Sequence, residues 1–166
     1  MSVESIVIAT DLNKTFKAEQ KGLDDVQALQ GINMQIKAGQ LTALVGPDGA
    51  GKTTFLRLIA GLYEPTTGSL KVLGMDVAKD PQSVQDRISY MPQKFGLYED
   101  LSIQENLDLY ADLHGVPMDV RKERFARLLK ITDLARFTER PAGKLSGGMK
   151  QKLGLACTLV LSLIHI

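Results

Sequence analysis

At 166 residues, with 20 Lys and Arg against 19 Asp and Glu, the chain carries a formal net charge of +1, which excludes a nucleic-acid-coating tail and an acidic scaffold. Hydrophobic residues make up 44% and charged residues 23%, the proportions of a soluble globular protein with a packed core, so disorder is excluded as well. The single cysteine, Cys157, has no partner for an internal disulfide, and no Cys/His cluster has the spacing of metal ligands.

The first residues carry no positive segment followed by an apolar run, which argues against a cleaved signal peptide. The longest nearly apolar run, 154–166, is shorter than the ~18 residues of a membrane span. The expectation is one domain, or one domain with a small lobe, that sits in the cytosol and does not cross a bilayer.

Along residues 5–36 the apolar residues form short runs, Ile6-Val7-Ile8-Ala9 and Ala28-Leu29 with Ile32, Met34 and Ile36, which predict two or three sheet strands. Residues 37–40 read as a turn. The run Leu41-Thr42-Ala43-Leu44-Val45 ends at a glycine and has the pattern of a strand buried on both faces. A glycine-rich loop follows, then a helix over 53–62, a turn over 65–68 and another strand over 69–73.

Between Gln93 and Gly143 the pattern turns helical and charged. Ser102 with Glu105 three residues later fits a capping box, in which hydroxyl and carboxylate each satisfy a free backbone N–H. The helix it opens places Ile103, Leu107, Tyr110, Ala111 and His114 on one face, with Glu105, Asp108 and Asp112 turned away. A second helix over about 119–132 turns Phe125, Leu128 and Leu129 inward, and its basic set Arg121, Lys122, Arg124, Arg127 and Lys130 reads as a solvated face. After a loop at Gly143, a last helix begins near Ser146, with Met149, Leu153, Ala156 and Val160 at helical spacing and Cys157 as an inert buried thiol. His114 and His165 have no carboxylate or cysteine partner in sequence and read as core or surface histidines.

Two constellations carry chemistry. Gly46-Pro47-Asp48-Gly49-Ala50-Gly51-Lys52-Thr53 matches G-x-x-x-x-G-K-[ST], between a predicted strand and a predicted helix. Glycines let successive N–H groups turn inward around a phosphate, the helix N-terminus adds partial positive charge, and an ammonium at Lys52 reaches the outer phosphates. From average residue frequencies, chance produces such a match on the order of once per 200 chains of this size, so the motif is informative. The second constellation is Leu145-Ser146-Gly147-Gly148-Met149. Ser146 is a good N-cap, but two glycines in a first helical turn cost roughly 1 kcal/mol each against alanine. Close approach of an anion is a physical reason for bare backbone at that place.

With these motifs the chain resembles the ATP-binding-cassette (ABC) ATPases over nearly all of residues 5–160. The phosphate loop resembles that family's Walker A motif, Leu145-Ser146-Gly147-Gly148-Met149 its signature motif, and Tyr90-Met91-Pro92-Gln93 the end of the strand carrying its Q-loop glutamine. The wording of the three segments is especially similar to the first cassette of bacterial multidrug exporters that carry two cassettes in one chain. The resemblance implies an α/β P-loop NTPase fold of the ABC nucleotide-binding type, with an N-terminal antiparallel β lobe and a helical subdomain. It divides the chain into a β lobe and Walker A core at about 5–92, a Q-loop and helical subdomain at about 93–143, the signature and its helix at 144–160, and an atypical tail at 161–166.

The resemblance also implies roles. Gly46, Pro47, Asp48, Gly49, Ala50, Gly51, Lys52, Thr53 and Thr54 bind the phosphates of ATP, with Thr53 on Mg²⁺ and Thr54 on an inner phosphate oxygen. Gln93 reaches Mg²⁺ or the attacking water, which with Lys52 makes it part of the catalytic set. Ser146, Gly147 and Gly148 face the γ-phosphate held by an opposing cassette, so the partners implied are a second cassette, as a homodimer or a tandem copy, and membrane-spanning transporter subunits. Phe16 stands where the family has an aromatic on adenine, an assignment that competes with simple core packing. Nucleic acid is not an implied partner, and the implied place is the cytoplasmic face of the inner membrane.

The family's Walker B strand, an apolar run ending in Asp-Glu, has no counterpart. No residue after Gly148 is acidic, the adjacent pairs Asp24-Asp25 and Glu99-Asp100 do not end apolar runs, and His165 does not match the family's switch histidine. The chain therefore reads as a cassette truncated before that strand, with apolar surface uncovered, weak nucleotide binding and no hydrolysis. A GTPase would need Asn-Lys-x-Asp, and Asn13-Lys14-Thr15-Phe16 lacks the Asp. A small-substrate kinase leaves the second motif unexplained, while a soluble ABC ATPase of translation or DNA repair and a non-hydrolysing nucleotide-binding fragment share the motifs.

Overall fold

A computed structural model describes residues 4–18, 22–93 and 96–162, the last two of them by backbone only. It forms two compact units that divide between Ile88 and Ser89.

The first unit is a four-stranded antiparallel sheet, ordered β2-β1-β3-β4, with two helices. Strands β1 (Ser5–Phe16) and β2 (Val26–Lys37) pair from Ser5↔Lys37 to Phe16↔Val26. On its other edge β1 pairs with β3 (Thr67–Val72), which turns into the short β4 (Met75–Asp76). The buried residues of β1 are Val7, Ala9 and Leu12, a spacing of two and then three. An irregularity between Ala9 and Leu12 supplies the extra residue and returns Leu12 to the inner face. Helix α1 (Lys52–Ile59) lays Phe55 and Leu58 on that face, joining Leu29, Leu70, Val72, Val77 and Val84 in one core. The sequence reading missed β4 and the short α2 (Pro81–Gln85). The latter has a local signal, since Asp80 accepts from the Ser83 N–H and Pro81 opens the helix. The Ser83 bonds, side chain first and then backbone, hold the Asp80 carboxyl below its usual range.

Two predicted strands are absent. Residues 41–45 are irregular, with Leu41 102% and Val45 91% exposed, where a strand buried on both faces was expected. A central strand exists only with hydrogen-bonded neighbours and cover on both faces, and no strand among the described residues pairs with this run. Residues 90–93 are irregular for the same reason, not the end of a strand.

The second unit is helical. Helices α3 (Ile103–Leu113), α4 (Met118–Thr132) and α5 (Gly147–Ser162) bury one apolar cluster, including Ile103, Leu107, Phe125, Leu128, Leu153, Ala156 and Val160. Ser102 and Glu105 form the expected capping box, with Ser102 N donating to Glu105 Oε2 at 2.7 Å and Glu105 N donating to Ser102 Oγ at 3.2 Å. The Ser102 backbone bond, and after it the Ser102 side-chain bond, lower the Glu105 carboxyl from its ordinary value. Tyr110 is half-buried as the periodicity implies, but His114 is exposed at the C-cap and does not join the inner face. His165 and most of the tail 161–166 lie outside the described residues.

The buried polar groups of this unit were not legible from periodicity. Asn106 has no exposed surface, and its amide closes the turn before α3. Its Oδ1 accepts from Tyr98 N, and its Nδ2 donates to the carbonyls of Tyr98, Leu101 and Ser102. Arg121 corrects the reading of α4's basic set as wholly solvated. It is 8% exposed, its Nε and Nη2 donate to the Val116 carbonyl at 2.9 and 2.8 Å, and its Nη1 lies 2.7 Å from Asp112. A fork of donors matched to a bare carbonyl and a carboxylate outweighs burial of the stem, because the charge stays paired. Arg124 is half-buried against the Val160 carbonyl, while Lys122, Arg127 and Lys130 are exposed as expected.

Cys157 is a buried thiol, as expected, and burial pushes it up to about 12. A thiol held above its unfolded value contributes stability below that value and loses it as pH climbs toward about 12. An alkylating reagent at pH 8 is expected to label Cys157 only after denaturant is added; rapid labelling of the folded chain would contradict this packing. Asn106→Leu leaves the Tyr98 N–H without its acceptor, while the Tyr98, Leu101 and Ser102 carbonyls keep Leu101 N, Ala142 N and Asn106 N as donors, and is expected to lower unfolding stability by about 1–3 kcal/mol in urea titration. A loss below 1 kcal/mol would mean that water replaces the amide.

Candidate functional site

Residues 46–54 form a loop that ends as the first turn of α1. Gly51 is the helix N-cap at φ 81° and Gly49 also has φ 81°, so the chain changes hand twice before the helix begins. The N–H groups of Lys52, Thr53 and Thr54 open the helix and have no intrahelical acceptors. Together with the dipole of α1 they favour an anion at this end. The Lys52 ammonium folds back to the Gly46 and Pro47 carbonyls, 2.6 Å from each, and draws the loop closed on itself. An ammonium has three donors, so one remains for an outer phosphate oxygen. Thr53 is exposed and Thr54 half-buried; Pro47, Asp48 and Ala50 are exposed, with Ala50 N reaching the Pro47 carbonyl at 3.3 Å.

The loop is seated on β2. A Cβ at Gly51 would collide with the Ala28 carbonyl oxygen and stand 2.8 Å from Leu29 Cδ2, so only glycine fits between α1 and the strand. Beside this contact lies a small apolar cavity of about 110 Å³, lined by Leu29, Ile32, Met34, Leu44, Val45, Ala50, Gly51, Lys52 and Phe55. The hydroxyls of Thr53 and Thr54 are hard oxygen donors in the helix's first turn, which suits a divalent ion that takes most of its ligands from phosphate and water. Among the described residues no cluster of three or more His, Cys, Asp or Glu is placed to hold an ion by itself.

Phe16 ends β1 and is half-buried. Its ring meets Tyr63 edge-on at 5.3 Å between centroids, and the Lys14 ammonium lies 5.0 Å from the Phe16 centroid and 5.7 Å from that of Tyr63. Arg57 donates to the Tyr63 hydroxyl at 2.9 Å. The sequence reading missed Lys14 and Tyr63 as companions of Phe16: Lys14 lies two residues away on the same strand, while Tyr63 is brought in by the segment between α1 and β3.

Gln93 and the Ser146-Gly147-Gly148 turn belong to the second unit, and residues 46–54 to the first. Ser146 Oγ accepts from Met149 N at 3.3 Å and so caps α5 as expected. A Cβ added at Gly147 or Gly148 meets nothing within 4 Å, so packing inside the chain does not require glycine there. An open cleft of about 640 Å³ brings Met91, Pro92 and Gln93 together with Gly148, Gln151, Lys152 and Leu155. Lys150, on α5's first turn, pairs with Glu99 at 2.6 Å, and the Glu99 carbonyl accepts from Gly143 N at 2.8 Å, which anchors the approach to this turn. Gln151 and Lys152 were not singled out from sequence; their place one turn beyond the glycines was the available signal.

Comparison with known proteins gives a consistent picture. The sequence profile of the family described as ABC transporter matches residues 29–163. The chain is 53% identical over 157 residues to the probable multidrug ABC transporter ATP-binding protein YbhF of Escherichia coli K12, covering 95% of this chain and 26% of that protein. It is 36% identical over 159 residues to the Fe(3+) ions import ATP-binding protein FbpC of Mannheimia succiniciproducens, covering 95% of this chain and 43% of that one. It thus spans about a quarter and under half of the two relatives' lengths. Among solved structures it resembles the dimeric, post-hydrolysis state of the ATP-binding cassette MJ0796 bound to ADP and Pi, with TM-score 0.81 and 27% identity over 94% of this chain and 70% of that one.

The two left-handed loop glycines differ in surroundings, since a Cβ at Gly49 meets nothing within 4 Å. Gly49→Ala is therefore expected to cost about 1 kcal/mol of stability from backbone strain alone. Gly51→Ala is expected to cost at least about 2 kcal/mol more, because α1 must also move off β2. Equal losses in urea unfolding would show that the Gly51 contact does not seat the loop.

Proposed function

The chain belongs to the ABC transporter family, and from that premise we propose that it is an ATP-binding cassette whose parent protein binds and hydrolyses ATP to drive export across the inner membrane. The observation that carries the proposal is the loop 46–54, closed by Lys52 and opening on the free N–H groups of α1. In this reading Gly46, Pro47, Asp48, Gly49, Ala50 and Gly51 wrap the phosphates, all but Pro47, which has no N–H, offering backbone donors. Lys52 neutralises the outer ones, Thr53 holds Mg²⁺, Thr54 meets an inner oxygen, and Phe16 meets the base. Phosphoryl transfer needs little from the protein beyond position and charge, and these residues supply both.

Gln93 is the group that reaches Mg²⁺ or the attacking water and senses a membrane partner. Ser146, Gly147 and Gly148 offer bare backbone to the γ-phosphate of an opposing cassette. The open space around both glycines supports an approaching partner as the reason for them. The partners are then a second cassette, in another copy or in tandem, and membrane-spanning transporter subunits, with no nucleic acid involved. No helix among the described residues is long and apolar enough to cross a membrane; in this reading the cassette attaches at the cytoplasmic face through those subunits. The identity of 53% to a probable multidrug transporter component, against 36% to an iron-import component, supports export. The working division is a β lobe and phosphate core at about 5–92, a Q-loop and helical subdomain at 93–143, and the signature with its helix at 144–160, followed by the tail 161–166.

These 166 residues by themselves contain no Asp-Glu pair at the end of an apolar run. Without those carboxylates nothing completes the Mg²⁺ shell or polarises water, so the chain holds nucleotide weakly and does not turn it over. Calorimetric titration is expected to give weak MgATP binding that Lys52→Ala reduces at least tenfold, with phosphate release at the level of buffer. Mg²⁺-dependent turnover that Lys52→Ala abolishes would overturn the non-hydrolysing reading and keep the nucleotide site; binding indifferent to Lys52→Ala would overturn the site.

A further inference from the structure

We propose that Tyr63 is a positioning residue for nucleobase recognition: with Lys14 it holds the Phe16 ring at a set distance from the phosphate loop, so that a nucleotide's base and phosphates are read together. The inference rests on the proposed reading of residues 46–54 as the phosphate site and of Phe16 as the base-facing ring.

The placement follows from the sheet. Gly51 lies against the Ala28 carbonyl, and Phe16 pairs with Val26, two residues further along β2. Two residues of strand are about 7 Å and one strand spacing about 5 Å, a separation that a ribose and inner phosphate bridge. Tyr63 reaches the same spot from the other end of the phosphate helix. Helix α1 stops in a Schellman turn, with Gly61 N donating to the Leu58 carbonyl and Leu62 N to the Arg57 carbonyl. The chain then turns back, and four bonds tie it to β1: Thr66 N to the Asn13 carbonyl, Thr15 N to Thr66 Oγ1, Thr66 Oγ1 to the Thr15 carbonyl, and Lys14 Nζ to the Glu64 carbonyl. One helix thus sets both the phosphate cradle at its start and the Tyr63 ring beyond its end. Tyr63 is braced by Arg57, and Lys14 lies against both rings. A ring held by an edge contact and a cation has few rotamers left to lose when a base stacks on it.

The test measures affinities of the full chain for MgATP and for magnesium tripolyphosphate, the second probing phosphate recognition without a base. The expected parent binds MgATP more tightly. Tyr63→Leu is expected to lower the MgATP-to-tripolyphosphate affinity ratio about three- to tenfold with tripolyphosphate affinity kept, and Tyr63→Phe, which retains the ring contact, restores most of the ratio. A ratio unmoved by Tyr63→Leu, or both affinities falling together, overturns the positioning role while leaving the phosphate site standing. If Lys52→Ala leaves tripolyphosphate binding intact, or the parent binds neither ligand, the phosphate-site reading falls. A ratio unmoved by Phe16→Ala removes the base platform and this inference with it.

Discussion

The contact on which the first unit depends is the seat of α1 on β2, where Gly51 brings helix and strand backbones closer than any side chain permits. Everything around the loop follows from it. Phe55 and Leu58 reach the sheet core only because the helix starts this close, and the same proximity holds the N–H groups of Lys52, Thr53 and Thr54 beside a fixed surface. The Lys52 ammonium performs a second closure by holding the Gly46 and Pro47 carbonyls. The helix side of the loop is therefore anchored by packing and the strand side only by that ammonium.

The helical unit solves a different problem. Its connections end against helices, so their backbone donors and carbonyls must find partners within the unit. Asn106, Arg121 and the Ser102–Glu105 box meet that demand, the first two from buried positions. These polar fasteners hold α3 and the α3–α4 turn in place, and α5 then packs an apolar face made of Leu153, Ala156, Cys157 and Val160. The first turn of α5, with Ser146 capping and two glycines in open space, is left uncovered by the rest of the unit.

What was legible in the sequence was what depends on local spacing. The phosphate loop, the capping box, the turn before β3 and the inward faces of α4 and α5 are each set by residues within a few positions of one another. The strand expected over 41–45 was misread because a strand is a relation between segments, and apolar composition does not supply the neighbour. Arg121 and Asn106 were missed because a buried polar side chain shows in the sequence only as a break in periodicity. The aromatic group around Phe16 was half legible: the ring itself could be named, and Lys14 is its neighbour on β1, but Tyr63 meets it only because the segment before β3 returns to β1. Candidate roles for Gln93 and Ser146 came from resemblance, and geometry adds that they line or border structured surface in the second unit.

The exposed run 41–45 has a consequence for binding that its lost burial alone does not express. Leu41 and Val45 each forgo roughly 1.5–3 kcal/mol of burial, a sizeable part of the ~5–15 kcal/mol by which domains are stable. The run also leads directly into Gly46, so the first half of the loop is held by the Lys52 ammonium and not by a strand. An anion that needs the N–H groups of 48–51 converging on one point must then order that backbone itself, at about 1–2 kcal/mol for each residue fixed. The helix half of the cradle bears no such charge, since packing has already ordered it. Under the proposed function, affinity for phosphate is thus divided along the loop: the side that begins α1 is preorganised, and the side that leaves the run 41–45 draws its order from the ligand.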